Sequence, residues 1–485
     1  MQSSKKGSSV KWIAAIVVVI VIVAGLGVLL FDKPAKKQTI NVMVDSGSMT
    51  ESYLKAVALQ FEKKNPDVSV QINSVGYSDM TTTALAALQG KTSPPNIFMY
   101  YASQAPALAP YLYNLNSTTG QKYLNSANYL SGDLASGSYA PNATGNGYNF
   151  IGIPIHTVVG YILVYNKTVF NNGTLERGFY DQYHYNITPS KLDNWSALNA
   201  VSSYVSTHTK FDGSSNKYAL MFPDSASHSI IDAFYNLFYP YGQGQSKTGI
   251  PADSSPNYWT YFGFQNGKVV PSYNNSYGVQ ALTMYKNLTS YEPSVSSQPI
   301  GYDQQELFFG TGDYAMGLAW SSFIPTYENS SSLVRNDLGI TLLPGGYTGY
   351  SPTFLGVNPY SKNISLDLKF LQFASSSSEF SMGIKNYSYV PSTYSGLSSA
   401  SKLSNFTWLS QVNNYSSTIK VDKTYSQVFL KASPLFSTLI PDFNDQVLNY
   451  LEGKVINKQK ITASMALSNA ASEWVKELNN QGITL

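Results

Sequence analysis

The sequence predicts an α/β protein of two lobes, preceded by a membrane-spanning helix. Three stretches carry this prediction: strands and helices alternate from 39 to 101, an apolar β-branched run occupies 151–164, and residues 12–31 are almost uninterrupted Ile, Val, Leu, Ala and Gly. Alternating strands and helices form parallel sheets with right-handed crossovers, and the run at 151–164 is typical of a strand buried on both faces. The 485 residues are enough for two or three folding units.

The N-terminal apolar segment is the strongest signal of any single stretch. At about 1.5 Å per residue, a helix over residues 12–31 spans about 30 Å of hydrocarbon. A basic leader at 1–11 precedes it, which favours export of everything downstream. The segment is too long for an ordinary signal peptide and no Ala-x-Ala site follows, so we expect an uncleaved anchor. Residues 32–38 then form a short charged linker.

Composition excludes several classes of function. The net charge is +3 and the basic residues are scattered, so no nucleic-acid partner is expected. The chain has no cysteine, which excludes disulfides and thiolate metal sites. The four histidines are dispersed, and the common nucleotide, zinc-protease and serine-hydrolase motifs are absent. We therefore predict no catalytic residue, metal or cofactor, although sequence alone leaves open a pair of cleft carboxylates acting as a glycosidase.

Residues 39–101, directly after the linker, predict a βαβαβ unit. Ser48-x-x-Glu51 forms a capping box for the first helix, and strands are expected near 40–44, 68–72 and 96–101. In a parallel sheet the carboxyl ends of the strands share one edge, and ligands bind there. The loops at 45–50, 76–79 and 100–104 reach that edge.

The apolar run at 151–164 is expected to bend in its middle. Pro154 cannot donate to a strand ladder and Gly160 weakens one, so the run divides into two strand pieces around 157–160. A buried bend of this kind between two sheets is a hinge.

These stretches resemble the extracellular solute-binding proteins of ABC importers. Gly-Ile-Pro at 152–154 followed by Tyr-Asn-Lys at 165–167 resembles the first crossover between lobes in the sugar-binding branch, which includes maltose-binding proteins. Phe-Glu-Lys-Lys-Asn-Pro-Asp at 61–67 resembles their first lobe, as does Pro-Pro-Asn-Ile at 94–97. Phe-Phe-Gly-Thr-Gly-Asp-Tyr-Ala-Met-Gly-Leu-Ala-Trp at 308–320 resembles their second-lobe signature. The resemblance covers nearly all of 39–478.

The resemblance implies a periplasmic-binding-protein-like fold, with two α/β lobes joined by a three-strand hinge. Lobe 1 is expected at 39–156 and 355–400, and lobe 2 at 157–354 and 401–485. The third crossing between lobes is expected near 398–404.

The resemblance also implies the function. We expect a monomeric receptor, anchored in the cell membrane by a single pass with its binding domain outside, that captures a small carbohydrate and delivers it to the permease of an ABC importer. Lys5-Lys6-Gly7-Ser8 resembles the pilin-like leader site of archaeal anchored members, although Lys11 separates that site from the apolar run. A cell-surface glycoside hydrolase and a structural envelope glycoprotein are the alternatives.

Placement by the family's motifs gives the candidate ligand-binding residues. Sugar binding needs aromatic faces and groups that hydrogen-bond to hydroxyls. The candidates are Ser46, Ser48, Tyr100, Tyr101, Gln104, Asp224, His228 and Trp320. Each has an ordinary alternative: the tyrosines could pack, Ser48 could only cap its helix, Asp224 could form a turn, and Trp320 could belong to the core.

About a dozen Asn-x-Ser/Thr sequons agree with an exported glycoprotein. The candidates for glycosylation are Asn116, Asn142, Asn172, Asn194, Asn274, Asn329, Asn363, Asn405 and Asn414.

Overall fold

Two mixed sheets organise the protein, each at the centre of one lobe. The structure is a computed structural model that describes residues 37–142, 147–157, 159–208, 217–226, 228–242, 258–265, 268–420 and 436–482. Residues 38–485 form one compact unit. The predicted anchor at 12–31 lies outside the described residues. Within the described ranges, none of the helices has both the length and the apolar character needed to cross a bilayer.

The strands follow one another through both lobes. In chain order they are β1 (Gln38–Asp45), β2 (Val68–Val75), β3 (Ile97–Tyr101), β4 (Tyr139–Pro141), β5 (Tyr148–Phe150), β6 (Ile153–His156), β7 (Tyr161–Asn166), β8 (Tyr218–Met221), β9 (Phe262–Gln265), β10 (Lys268–Pro271), β11 (Tyr314–Trp320), β12 (Leu338–Thr341), β13 (Thr353–Val357), β14 (Val455–Ile456) and β15 (Gln459–Lys460).

The helices cover the faces of the two sheets. They are α1 (Met49–Lys64), α2 (Tyr77–Gln89), α3 (Ala105–Leu108), α4 (Ser131–Gly137), α5 (Lys167–Phe170), α6 (Gly173–Tyr183), α7 (Trp195–His208), α8 (His228–Gly242), α9 (Ser276–Leu288), α10 (Tyr302–Phe308), α11 (Ile324–Tyr327), α12 (Ile364–Ala374), α13 (Ser377–Tyr387), α14 (Tyr394–Ala400), α15 (Leu409–Thr418), α16 (Phe436–Leu451) and α17 (Ala463–Asn480).

The sheet of lobe 1 has the order β2-β1-β3-β13-β6. β1 pairs in parallel with both β2 and β3, which confirms the predicted βαβαβ unit. β13 returns from lobe 2 and inserts antiparallel between β3 and β6. The sheet of lobe 2 has the order β12-β7-β11-β8, with β11 parallel to β8 and antiparallel to β7.

Helix α1 shows how local sequence sets an element. Ser48 caps its N-terminus by accepting a hydrogen bond from the Glu51 backbone N–H at 3.1 Å. The reciprocal half of the predicted capping box differs, because the Glu51 carboxylate accepts from the N–H of Gly47 at 2.6 Å. A hydrogen bond from Lys55 and another from Ser74 lower the pKa of Glu51 to about 2. The helix end is thus fixed beside the loop that follows β1.

Each lobe has its own apolar core. In lobe 1, Phe61 of α1 meets Phe370 of α12 edge-on at 5.3 Å between ring centroids. In lobe 2, the tail helices α16 and α17 close the core, where the Trp474 indole donates to the carbonyl of Leu439 at 2.7 Å.

The chain crosses between the lobes three times. The first crossing, 157–160, joins β6 to β7 at the predicted bend, and the second, 342–352, joins β12 to β13. These two crossings are bonded to each other, since the N–H of Gly160 donates to the carbonyl of Gly349 at 2.7 Å. A Cβ at Gly160 would lie 3.1 Å from that oxygen, so glycine permits the close approach.

The third crossing lies earlier than the sequence predicts. Residues 388–393 run beside the first crossing, with the N–H of Thr157 donating to the carbonyl of Val390 at 3.1 Å. The segment expected to cross, 398–404, instead forms the end of α14 and the turn after it. The reason is packing: Leu397 of α14 shares a core cluster with Leu409 of α15 on the sheet of lobe 2, so the chain has already left lobe 1.

Candidate ligand-binding site

In each sheet, one row of strand ends lies next to the crossings between the lobes. In lobe 1, Tyr101 at the end of β3, Thr353 at the start of β13 and His156 at the end of β6 lie in one row across the sheet. In lobe 2, Trp320 at the end of β11 pairs with Tyr161 at the start of β7. Five residue steps separate His156 from Tyr161, so the two rows lie within about 17 Å of each other. We call these rows the lobe 1 edge and the lobe 2 edge.

Polar groups on the lobe 1 edge are paired with one another. The Tyr101 hydroxyl donates to Asp45 at 2.6 Å, and the Tyr77 ring lies 5.4 Å from the Tyr101 ring. Burial raises the pKa of Asp45, while the hydrogen bond from Tyr101 opposes the rise. Gln104 uses its side-chain oxygen to accept from the backbone N–H of Tyr101 at 3.0 Å. The predicted residues Tyr101 and Gln104 therefore stand together here.

The two predicted serines differ in their surroundings. Ser46 is exposed in the loop after β1. Ser48 is half-buried, donates to the carbonyl of Asp45 at 2.8 Å and caps α1. The capping role that the sequence offered as the ordinary alternative for Ser48 is present in the structure.

Tyr100 does not lie on the lobe 1 edge, contrary to the expectation from sequence. Its side chain is completely buried, stacks on Phe354 at 5.1 Å and donates to the carbonyl of Gly137 at 3.2 Å. Successive residues of a strand point to opposite faces, so Tyr100 and Tyr101 cannot both face the same side. Tyr100 is a core residue, and the site proposed below does not include it.

An aromatic stack that the sequence did not single out supports the lobe 1 edge from beneath. The rings of His156 and Tyr389 are 4.2 Å apart, and Tyr389 stacks on Tyr53 at 4.0 Å. Burial lowers the pKa of His156 to about 3, so the imidazole is neutral. The stack joins β6, α1 and the third crossing, which fixes the edge where the hinge begins.

Trp320 occupies the lobe 2 edge as the sequence predicts for the end of its strand. It is 8% exposed, with its ring 5.2 Å from Tyr161 and 6.0 Å from Tyr302. The next residue, Ser321, donates its N–H to Val159 in the first crossing at 3.3 Å. Trp320 therefore belongs to the lobe 2 core and also borders the hinge.

Several polar atoms around Trp320 are buried without a hydrogen-bond partner among the described residues. They are the Trp320 indole N–H, the Tyr161 hydroxyl and both amide atoms of Gln305. Gln305 and Trp320 lie near enough to the Tyr161 hydroxyl to oppose the rise in its pKa that burial causes, yet neither forms a well-aligned hydrogen bond with it. We call Tyr161, Tyr302, Gln305 and Trp320 the Trp320 cluster. The cluster thus holds buried donors and acceptors beside the hinge.

Asp224 follows β8 as predicted, but it is completely buried. Its Oδ1 accepts from the N–H of Ile300 at 2.6 Å, and its own N–H donates to the carbonyl of Ile300 at 3.0 Å. Burial raises the pKa of Asp224 to about 7 and also raises the pKa of the neighbouring Glu292, which Asp224 raises further. Asp224 thus fastens the end of β8 to the loop before α10. The His228 side chain lies outside what the structure describes.

A third buried carboxyl group lies in the hinge. Thr157 of the first crossing donates to Asp133 of α4 and lies 3.1 Å from the hydroxyl of Ser392 in the third crossing. Burial raises the pKa of Asp133 to about 8, although hydrogen bonds from Thr157 and Ser392 oppose the rise. Sequence reasoning gave no signal for this residue.

The sequon asparagines lie on the surface to different extents. Asn142 and Asn172 are partly exposed, and the remaining candidates are exposed: Asn116, Asn194, Asn274, Asn329, Asn363, Asn405 and Asn414. Across the described residues, His, Asp and Glu side chains do not form a group of three or more placed to hold a metal ion.

Solved structures with this fold are numerous. Maltose-bound MalE3 of T. maritima superposes with a TM-score of 0.61 at 16% identity, covering 90% of this chain and 99% of that one. The sugar-binding protein MalE of Xanthomonas citri gives 0.64 at 15% identity, covering 92% and 98%. A solute-binding protein of an ABC transporter from Agrobacterium radiobacter K84, in complex with ribitol, gives 0.62 at 16% identity, covering 92% and 100%.

The family comparison extends over most of the two lobes. The family described as "Bacterial extracellular solute-binding protein" matches residues 56–403. Among curated protein sequences, none matches the chain at a significant level. The family match includes β2 and β3 of the lobe 1 sheet, all three crossings and the lobe 2 edge. The chain therefore belongs to the extracellular solute-binding protein family, whose members bind solutes and are not enzymes.

Proposed function

We propose that the protein captures a carbohydrate or polyol between the two edges and delivers it to an ABC importer. The Trp320 cluster carries this proposal. An indole face can cover the C–H surface of a sugar, while its N–H and the Gln305 amide pair with hydroxyl groups. A buried polar atom without a partner costs about 1 to 3 kcal/mol, so a ligand that pairs these atoms recovers stabilisation that an apolar ligand cannot.

The charges at the edges favour a neutral ligand. On the lobe 1 edge, Asp45 is already bonded to Tyr101, and His156 is neutral and buried. On the lobe 2 edge, burial holds the pKa of Asp224 near 7. The Tyr302 hydroxyl donates to the buried carboxyl group of Asp232, so the carboxyl groups at both edges are already bonded within the protein. What remains for a ligand is aromatic rings, hydroxyls and amides. Structures that share the fold include proteins bound to maltose, ribitol and tagatose, which supports the same class of ligand.

Calorimetric titration against a panel of solutes tests the proposal. Neutral monosaccharides, oligosaccharides and polyols are compared with amino acids, peptides and organic anions. We expect binding confined to the neutral polyhydroxylated compounds, and identification of the ligand that co-purifies with the protein would narrow the class. A titration in which only amino acids or peptides bind would contradict it.

The three crossings lead us to propose that the lobes rotate about the hinge when ligand binds. Small-angle scattering should show a smaller radius of gyration with saturating ligand. A control is the same solute at the same concentration with the Trp320→Ala variant, which we expect to bind it less tightly. An unchanged radius with the wild-type protein would mean that it is already closed or does not close.

We also propose that residues 12–31 anchor the protein in the membrane with the binding lobes outside. β1 begins at Gln38, whose pairing partners in β2 all lie downstream. A chain that begins at Gln38 should therefore be soluble and should bind ligand with unchanged affinity. N-terminal sequencing of the mature protein tests cleavage after Gly7, and a mature chain that begins at Met1 would exclude pilin-type processing.

A further inference from the structure

A short β-hairpin between the two tail helices stands out from the surface of lobe 2. β14 and β15 pair antiparallel, and Asn457 and Lys458 between them have positive φ angles of 52° and 63°. A two-residue loop with both residues in the left-handed region is the turn that matches the twist of a hairpin. All seven residues from 454 to 460 are exposed. We call residues 454–460 the lysine hairpin.

The base of the lysine hairpin is firmly held. Leu451 before it and Ile461 after it are buried in the lobe 2 core. The N–H of Ile461 donates to the carbonyl of Lys454 at 3.0 Å, and the N–H of Lys454 donates to Asn449 at 2.9 Å. The hairpin is therefore an ordered projection, although a ribbon this short has no stability of its own.

The exposed side chains combine aliphatic and cationic character. Val455 is 64% exposed and Ile456 is 42% exposed. Lysines stand at 454, 458 and 460, and Lys286 lies close enough for Lys460 to lower its pKa. Between Gln446 and Ser472 the only acidic residue is Glu452, which pairs with Lys454 at 2.7 Å. The lysine hairpin is thus positively charged around two solvent-exposed aliphatic side chains, Val455 and Ile456.

The size and shape of the tip indicate what covers it. Two aliphatic side chains bury far less than the roughly 800 Å² per partner that a stable protein interface needs. Val455 and Ile456 are consecutive in a strand, so they point to opposite faces of the ribbon, and a flat protein partner covers one face only. A lipid interface surrounds both faces, accepts the aliphatic groups and lets the lysine ammonium groups reach its phosphates.

We propose that the lysine hairpin is a second membrane contact, which inserts Val455 and Ile456 among the headgroups of anionic lipids. The proposal rests on the anchoring function proposed above, because a tether at 12–31 supplies the high local concentration that makes so small a contact effective. The contact holds lobe 2 against the bilayer and limits the orientations of the tethered protein.

Spin labelling of the full chain tests this contact. The chain contains no cysteine, so Ile456→Cys creates a unique labelling site. The labelled chain is reconstituted in vesicles of phosphatidylcholine mixed with phosphatidylglycerol, and separately in phosphatidylcholine alone. In the mixed vesicles we expect the nitroxide to gain exposure to dissolved oxygen and to become shielded from a water-soluble nickel chelate. Leu307→Cys is the matched control, since Leu307 is 61% exposed on α10 beside Asp303 and Glu306.

Substitution of the three hairpin lysines by glutamine should weaken the membrane contact by about fivefold for each lysine, measured as a loss of shielding at position 456. Added salt should also reduce the shielding of the wild-type hairpin. Vesicle flotation separates the two proposals. A chain that floats while its label at 456 stays open to the nickel chelate overturns the hairpin contact and leaves the anchor standing. A chain that does not float overturns both. If the label at 456 is shielded in the absence of lipid, and more so at higher protein concentration, the hairpin contacts a second copy of the chain. That result also overturns the membrane contact.

Discussion

The two edges that face each other across the hinge differ in how their polar groups are satisfied. On the lobe 1 edge, Tyr101 is bonded to Asp45 and Gln104 is bonded to the backbone of Tyr101. On the lobe 2 edge, Tyr161, Gln305 and Trp320 keep buried donors and acceptors without a partner among the described residues. In the proposed site, lobe 1 would therefore offer a preformed surface, whereas lobe 2 holds the groups that would gain most from a ligand. We expect substitutions on the two edges to separate stability from affinity.

The largest effect is expected from Trp320→Ala. Trp320 is 8% exposed and packs on Tyr161. The cavity that its removal leaves should lower the free energy of unfolding by about 3 to 5 kcal/mol. Loss of the stacking surface should also weaken ligand binding, by roughly tenfold to a hundredfold. Thermal melts and calorimetric titrations on the same variant measure the two effects. Trp320→Phe is the control, which keeps a ring and removes the indole N–H. An affinity unchanged in Trp320→Ala would assign the residue to the core alone.

The second effect is a pH dependence that distinguishes Asp224 in lobe 2 from Asp45 in lobe 1. Burial raises the folded-state pKa of Asp224 from an ordinary 3.8 to about 7. Between those values the unfolded chain has released this proton and the folded chain retains it. The stabilisation that protonated Asp224 contributes is therefore fully present below about pH 4. It is lost as pH rises toward 7, by up to about 1.4 kcal/mol per pH unit.

Denaturant unfolding at a series of pH values measures this slope. Asp224→Asn keeps the acceptor for Ile300 and should flatten the slope. Slopes of the same sign from Asp133 and Asp367 remain in the variant. His156, whose pKa burial lowers to about 3, contributes a slope of the opposite sign in both proteins. Asp45→Asn should change the slope less, because Asp45 is only half-buried. An equal slope in the wild-type protein and in Asp224→Asn would show that Asp224 ionises normally.

The third prediction compares two buried glutamines. Gln305→Leu on the lobe 2 edge removes amide atoms that lack a partner, so stability should hold or rise while affinity falls by about 1 to 3 kcal/mol, roughly fivefold to a hundredfold. Gln104→Leu on the lobe 1 edge breaks the bond to Tyr101 and should lower stability by about 1 kcal/mol. Melting temperature and dissociation constant are measured for both variants. A large loss of stability in Gln305→Leu would contradict the contrast between the edges.

The smallest effects are expected from removal of single hydroxyl groups. Tyr101→Phe loses the hydrogen bond to Asp45 and should cost about 0.5 to 1.5 kcal/mol of stability. Tyr161→Phe removes a hydroxyl that has no well-aligned hydrogen bond among the described residues, so it should change stability little and weaken binding several-fold. Chemical denaturation and titration measure both. If the two variants lose the same stability, the hydroxyl of Tyr161 has a partner in solution.

The sequence predicts the fold where local chemistry decides it. Pro154 and Gly160 mark the hinge because neither suits a continuous buried strand, and the structure has the break between His156 and Tyr161. Trp320 was placed at a strand end by the motif that precedes it. The resemblance alone places the third crossing near 398–404, and it carries no information on packing, whereas α14 just before that segment packs on lobe 2.

The candidate site was less predictable because its contacts depend on sheet register. Tyr161 contacts Trp320 because β7 and β11 pair at those two residues. No local sequence pattern predicts the register of that pairing. Tyr100 and Tyr101 are adjacent tyrosines in an apolar strand, and the sequence does not reveal which of the two faces the core. Gln305 gives no signal at all, because a polar residue on a short helix ordinarily faces solvent.

The insertion of β13 between β3 and β6 has a consequence for the order of assembly. The strands of the lobe 2 sheet all lie between 161 and 341, so that sheet can be complete before β13 has been synthesised. The lobe 1 sheet cannot join β6 to β3 until residues 353–357 emerge, although its first strands are made earliest. An exported chain would thus present the unpaired edges of β3 and β6 while lobe 2 folds, and unpaired strand edges are where chains aggregate. Protection of the first lobe during synthesis then depends on how quickly its last strand arrives.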